Sequence, residues 1–78
     1  MLYNHYQETE ELIELLVSSS LKKQSKALQN AMDAGATGAE VFMALRWNID
    51  QTISNASISG AIATKAIRLR DELDTCLK

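Results

Sequence analysis

Cysteine and histidine, which supply many metal ligands and catalytic groups, occur only once each in this chain. The single cysteine, Cys76, cannot form an intramolecular disulfide, so the reducing cytosol is the expected compartment. His5 and Cys76 do not have the spacing of zinc ligands, and we expect neither a metal site nor a cofactor. Cys76, between Leu73 and Leu77, is predicted to be a small buried hydrophobe, and His5 a solvated residue.

Long apolar runs and an excess of positive charge are also missing. The most apolar stretch, residues 12–17, is interrupted by Glu14 and is too short to cross a bilayer. The start of the chain does not resemble a secretory signal, so we expect a soluble, cytoplasmic protein with no membrane partner. The net charge of -2 argues against a general nucleic-acid binder, which usually carries a basic patch.

The composition that remains is that of one small globular domain. The 78 residues are 46% hydrophobic and 23% charged, values that exclude a disordered chain. A domain of this size buries a limited core, so helix caps matter for its stability. Association with a partner, or with a second copy as a homo-oligomer, would also stabilise it.

Helical periodicity predicts an all-α bundle of three to four helices, at about residues 4–17, 20–34, 38–53 and 59–77. Asn4, with Gln7 three residues later, is placed to cap the first helix. The serines at 18–20 favour a break after it, because serine side chains compete for helical backbone groups. One uninterrupted helix over residues 4–34 is the alternative.

Each predicted helix has an apolar line that should face the core. The first two lines consist of Tyr6, Leu12, Ile13, Leu16 and Val17, and of Leu21, Leu28, Ala31 and Met32. The last two consist of Val41, Phe42, Leu45, Ile49 and Ile53, and of Ile62, Ala66, Leu69, Leu73 and Leu77.

The stretch from Asp33 to Trp47 carries the clearest local signals. Gly35 is placed to end the second helix, and Thr37-Gly-Ala-Glu40 has the pattern of a capping box that begins the third. These residues predict a sharp corner; a phosphate site would need the P-loop or dinucleotide spacing that they lack. The third helix is apolar on more than one side, which predicts that it is the central helix, covered by two neighbours or by a neighbour and a partner.

Two groups of side chains are candidates for contact with a protein partner. The first is the acidic face of the first helix, Glu8, Glu10, Glu11 and Glu14, which suits a basic partner or is simply a solvated surface. The second surrounds the only tryptophan and consists of Met43, Arg46, Trp47 and Asp50. Tryptophan and arginine are enriched in binding hot spots and methionine adapts to partner surfaces, although Trp47 could equally pack in the core.

Catalysis and DNA binding receive less support. No histidine is near Cys76, Thr37 or a serine in the sequence, so we predict a protein that is not an enzyme. The second and third helices could form a helix-turn-helix that presents Arg46, Trp47, Asn48 and Gln51. However, the first turn of the third helix offers no basic or amide side chain to contact bases.

Residues 35–47 have the sequence Gly-Ala-Thr-Gly-Ala-Glu-Val-Phe-Met-Ala-Leu-Arg-Trp and follow the helical stretch 26–33. Together, these two stretches resemble small all-helical immunity proteins of bacterial toxin systems such as contact-dependent growth inhibition. The resemblance implies a cytosolic antitoxin that binds a cognate toxin domain, often a nuclease, and neutralises it by occlusion. The acidic face, with Arg46 and Trp47, would then meet a basic nuclease cleft. A self-associating helical module or a phage-type accessory protein is the alternative.

Overall fold

A computed structural model describes residues 3–34, 37–55 and 58–78, which form four helices and no strand. The helices are α1 (His5–Ser18), α2 (Lys22–Ala34), α3 (Gly38–Ile53) and α4 (Gly60–Leu77). The all-α prediction is confirmed, and each helix lies within two residues of its predicted limits. None of these helices is long and apolar enough to cross a membrane.

Side-chain caps specify where three of the helices begin. The side chain of Asn4 accepts a hydrogen bond from the backbone N–H of Gln7 at 3.0 Å, as predicted. Thr37 does the same for Glu40 at 3.2 Å, and Ser59 caps α4 in the same way. Each cap satisfies a backbone donor that the helix itself cannot, which stabilises a helix by ~1 kcal/mol.

The serine triplet separates α1 from α2. The backbone N–H of Ser19 bonds back to the carbonyls of Leu15 and Leu16, and Ser20 has a φ of 63°. This left-handed conformation cannot continue a right-handed helix, so the alternative of one helix over residues 4–34 is wrong. The other predicted helix end, at Gly35, lies outside the described residues.

The four helices form a ring around one core. In this ring α1 packs against α2 and α4, and α3 also packs against α2 and α4. Every helix therefore has two neighbours in the ring, and α3 is covered by two helices, as predicted, although no single helix occupies the centre. The second apolar side of α3, which carries Met43 and Trp47, faces outward.

The core consists of aliphatic side chains from all four helices, each worth roughly 1.5–3 kcal/mol when it is a fully buried Leu or Ile. They are Leu12, Leu16, Leu28, Ala31, Val41, Leu45, Ile49, Ile62, Ala66, Leu69 and Leu73. Tyr6 and Val17, predicted to belong to it, are instead 43% and 51% exposed. The side of α1 that faces the core is rotated about the helix axis relative to the prediction, so that Thr9 is buried with Leu12 and Leu16.

Three buried hydroxyl side chains complete the packing. Thr9 and Thr52 donate to the backbone carbonyls of His5 and Asn48, at 2.7 and 3.0 Å. Ser25 donates to the carbonyl of Lys22 at 2.9 Å. Because each hydroxyl is satisfied by its own helix, it can lie in an apolar core without an unpaired polar atom.

Candidate functional site

The outward side of α3 carries an exposed apolar pair. Trp47 is 63% exposed, the highest value for a large hydrophobic side chain in the described residues, and Met43 is 52% exposed. The two residues are one helical turn apart and therefore share a face. The interpretation of Trp47 as a core residue is wrong, and a surface with the composition of a binding hot spot remains.

A groove of about 440 Å³ runs beside Trp47, along the line where α2 and α3 meet. Its walls are Lys23, Gln24 and Ala27 from α2, with Trp47, Asn48, Gln51, Thr52, Ser54 and Asn55 from α3 and the residues after it. The side-chain amide of Asn48 donates to the carbonyl of Ala44 at 2.8 Å, which holds it against its own helix. The groove thus combines one aromatic wall with a polar, partly basic rim.

Arg46 and Asp50 lie on the other side of the exposed apolar pair, where α3 meets α4. The guanidinium of Arg46 bonds to the Asp74 carboxylate at 2.7 Å, and Asp50 pairs with Arg70 at 3.5 Å. The hydrogen bond from Arg46 lowers the pKa of the Asp74 carboxyl, and Asp74 raises the pKa of Arg46. Both pairs are solvated, so a partner could displace them at small cost.

The acidic face of α1 is divided by an ion-pair cluster with α4. The ammonium of Lys65 donates to Glu8 at 2.7 Å and to Glu11 at 3.1 Å. Burial disfavours the charge of Lys65, but the hydrogen bonds to the two carboxylates outweigh it and raise the pKa of the amine. Of the four acids of this face, Glu10 and Glu14 are exposed and take no part in the ion pairs of the described residues.

The two predicted groups of partner-binding residues lie on helices that are not neighbours in the ring, because α1 and α3 each pack against α2 and α4. The two helices touch through aromatic side chains, since the rings of His5 and Tyr6 on α1 contact Phe42 on α3. None of the predicted partner-binding residues takes part in these ring contacts.

Unpaired positive charge is concentrated on α2, a feature that the sequence-based candidates omitted. No ion pair in the described residues involves Lys22, Lys23 or Lys26, and all three are exposed. The cations Arg46, Lys65 and Arg70 are all engaged with carboxylates. Another, Arg68, stacks over the ring of Tyr3 at 5.3 Å. The three lysines follow one another closely in the sequence, but their freedom from partners is visible only in the fold.

Cys76 and His5 meet at the surface, with Sγ 3.3 Å from Nε2. The prediction that Cys76 is buried is wrong, because the thiol is exposed near the end of α4. His5 is half-buried rather than fully solvated, and its ring packs against Tyr3 and Phe42. The parts of the chain that the structure describes contain no cluster of three potential metal ligands, and two ligands are fewer than zinc sites in proteins provide.

In comparisons with known proteins, no family model matches the chain, and no curated protein or solved structure shows significant similarity to it. The features that bear on function are therefore the chemistry of the surface and the short resemblance of residues 35–47.

Proposed function

We propose that this chain is a non-catalytic protein-binding domain that docks through the outward face of α3. The observation that supports this proposal is the exposure of Trp47, which is 63% accessible beside an exposed Met43. A large aromatic side chain would stabilise so small a domain if it were buried, so its exposure forgoes a favourable interaction. Burial against a partner would recover that interaction in the complex.

The proposed partner is a cognate bacterial toxin domain, as the resemblance of residues 35–47 implies. The chain would act in the cytoplasm as an immunity protein and neutralise the toxin, a nuclease in many such systems, by covering a surface that it needs. Trp47 and Met43 supply the apolar contact, and the solvated pairs of Arg46 and Asp50 form a polar rim. The exposed Glu10 and Glu14 add negative charge that speeds association with a basic nuclease.

Affinity capture from the source cells tests the docking face. The wild-type chain and the Trp47→Ala variant serve as baits, with Val17→Ala as a matched control because Val17 is an exposed apolar residue of α1. We expect the same partner on the wild-type and control baits and loss of that partner with Trp47→Ala. Equal retention by all three baits, each shown to be folded by circular dichroism, would reject this face.

Protection of cells tests the antitoxin role separately. The captured partner, or its C-terminal domain, is expressed in a sensitive host with and without this chain. We expect growth arrest that the wild-type chain relieves and that Trp47→Ala does not. A partner without toxicity, or toxicity that the wild-type chain does not relieve, would reject the antitoxin role while leaving protein binding intact.

Self-association is the second candidate, and the same exposed apolar pair favours it. A second copy could cover Met43 and Trp47 in a homo-oligomer, which would also add to the limited core. Sedimentation of the purified chain distinguishes the two functions. A mass that rises with concentration for the wild type, but not for Trp47→Ala, would favour self-association.

A further inference from the structure

The groove between α2 and α3 places a free positive charge opposite an exposed aromatic ring. Lys23 and Trp47 both line it, and the amide side chains of Gln24 and Gln51 lie between the same two helices. Lys23 is exposed and takes part in no ion pair that the described residues form. An unpaired ammonium beside an aromatic wall complements a ligand that carries both a negative and an apolar group.

Two other positive charges of the bundle, one of them next to Trp47 in the sequence, are engaged with carboxylates of the chain. Arg46, on the opposite side of Trp47, is already paired with Asp74, and Lys65 is paired with Glu8 and Glu11. Among the described residues that line the groove with Trp47, the positive charge without a carboxylate of its own is thus that of Lys23. A binding partner can supply a carboxylate that pairs with Lys23.

We infer that this groove binds a peptide segment of a partner protein in which an Asp or Glu lies close to an aromatic or aliphatic side chain. The apolar side chain packs on Trp47, and the carboxylate pairs with Lys23. The amides of Gln24 and Gln51 can donate to and accept from the backbone of the segment. This inference rests on the proposed function, because it names the chemistry of the partner at the same face.

An acidic peptide suits this surface better than a nucleic acid. Affinity for a nucleic acid comes mainly from several Lys or Arg contacts to phosphates, whereas Lys23 is the one cation among the described residues that line the groove, in a domain whose net charge is -2. Tryptophan is among the side chains most enriched in the hot spots of protein interfaces. The groove is also open at the surface, so a segment can enter without a change of fold.

Selection of peptides on the purified chain tests the inference directly. A phage-displayed library of random short peptides is selected on the immobilised wild-type protein, and enriched peptides are then synthesised for titration. We expect enriched sequences to carry Asp or Glu next to Trp, Phe, Leu or Ile. Enrichment of neutral or basic peptides, or of no peptide at all, would overturn the inference.

Charge reversal localises the binding of the enriched peptides. Lys23→Glu should weaken their affinity by roughly tenfold, since it replaces an attraction by a repulsion. Lys22→Glu makes the same change of charge at an exposed position outside the groove and should leave the affinity within about twofold, as expected for a solvated charge without a direct contact. Equal effects of the two variants would overturn the assignment of Lys23.

Two further measurements separate this inference from the proposed function. If Lys23→Glu still captures the cellular partner as the wild type does while Trp47→Ala does not, the docking face stands and the acidic-segment inference fails. If Trp47→Ala also retains the partner, the proposed function itself fails. The wild-type chain and Lys23→Glu are also tested for retention of a DNA duplex at low salt. Binding by the wild type that Lys23→Glu abolishes would show that the groove binds phosphate and would overturn the inference.

Discussion

Leu45 and Trp47 are close together on α3, and the bundle places them in opposite environments. Leu45 is fully buried among the core side chains, whereas Trp47 is exposed on the outward face. The smaller side chain therefore contributes more to folding than the larger one. The larger one remains available for contact with another molecule.

Substitution of these two residues by alanine should separate stability from binding. Leu45→Ala removes buried methyl groups and leaves a cavity, so we expect it to lower the free energy of unfolding by about 2–5 kcal/mol. Trp47→Ala should change it by less than about 1 kcal/mol, as substitutions at exposed positions usually do. Urea denaturation followed by circular dichroism measures both. Similar losses for the two variants would contradict the exposed position of Trp47.

The thiol of Cys76 should react in the folded protein. Because it is exposed at the surface, we expect a thiol-specific reagent to modify one equivalent per chain in native buffer, without denaturant. A buried thiol would react only on the timescale of unfolding. The same assay in urea serves as the reference, and a reaction that requires urea would contradict the placement of Cys76.

The sequence is least informative about whether a single side chain is buried or exposed. Thr9, Ser25 and Thr52 are counted as polar in a periodicity pattern, yet each hydroxyl bonds to its own helix and is buried. Conversely, Trp47 and Cys76 are counted as apolar and are exposed. The side of an apolar helix that is covered depends on its neighbours, which the local sequence does not specify.

Helix ends are determined by local chemistry, and they are well predicted where a side chain performs the capping. Asn4, Thr37 and Ser59 each accept a hydrogen bond from a backbone N–H three residues later. The start of α2 has no such recognisable signal before it, and it begins at Lys22 rather than at Ser20. Ser20 is excluded from the helix by its left-handed backbone.

Replacement of Ser20 by glycine should stabilise the connection between α1 and α2. Ser20 has a φ of 63°, which is unfavourable for a residue with a Cβ and free of that penalty for glycine. We expect Ser20→Gly to raise the free energy of unfolding by about 0.5–1 kcal/mol, after the entropy of the more flexible unfolded chain is subtracted. Denaturant titration measures the change.

Ser19→Gly is the control for that substitution. Ser19 has a φ of -94°, so glycine relieves no strain there and only increases the freedom of the unfolded chain. It should be neutral or destabilising. A gain in stability from Ser19→Gly as large as that from Ser20→Gly would mean that the left-handed backbone is not the cause.

On the scale of the whole molecule, ion pairs connect α4 to both of its neighbours. Lys65 joins it to α1 through Glu8 and Glu11, and Arg70 joins it to α3 through Asp50. Composition and helical pattern predicted the helical class and a single domain. They did not predict which helices are adjacent, because the contacts of Lys65 join residues far apart in the chain.

Lys65→Met should destabilise the bundle at neutral pH. It retains an apolar stem but leaves the carboxylates of Glu8 and Glu11 without their cation, at a cost on the order of 1 kcal/mol. Lys22→Met, at an exposed lysine outside the observed ion pairs, should change the stability by less than about 0.5 kcal/mol. Thermal and urea unfolding of the three proteins compare them.

The cost of Lys65→Met should depend on pH in a defined direction. The pKa of Lys65 is raised in the folded state above its ordinary value of 10.5. Its contribution is therefore complete below pH 10.5 and is lost as the pH rises through the higher folded-state pKa. The difference in stability between wild type and variant should shrink in this alkaline range. A difference that stays constant there would indicate that packing, and not charge, is responsible.

The ring of helices also determines the order in which parts of the molecule come apart. The interfaces α1–α2, α2–α3 and α3–α4 join consecutive helices, whereas the interface between α1 and α4 joins the two ends of the fold. Closing that last interface restricts nearly the entire chain and carries the largest loop entropy of the four. We therefore expect α1 to separate from α4 in the lowest-energy partial opening, with amide hydrogens of α1 exchanging faster than those in the middle of α3. The face of α3 that carries Trp47 would then stay intact while α1 transiently separates from α4.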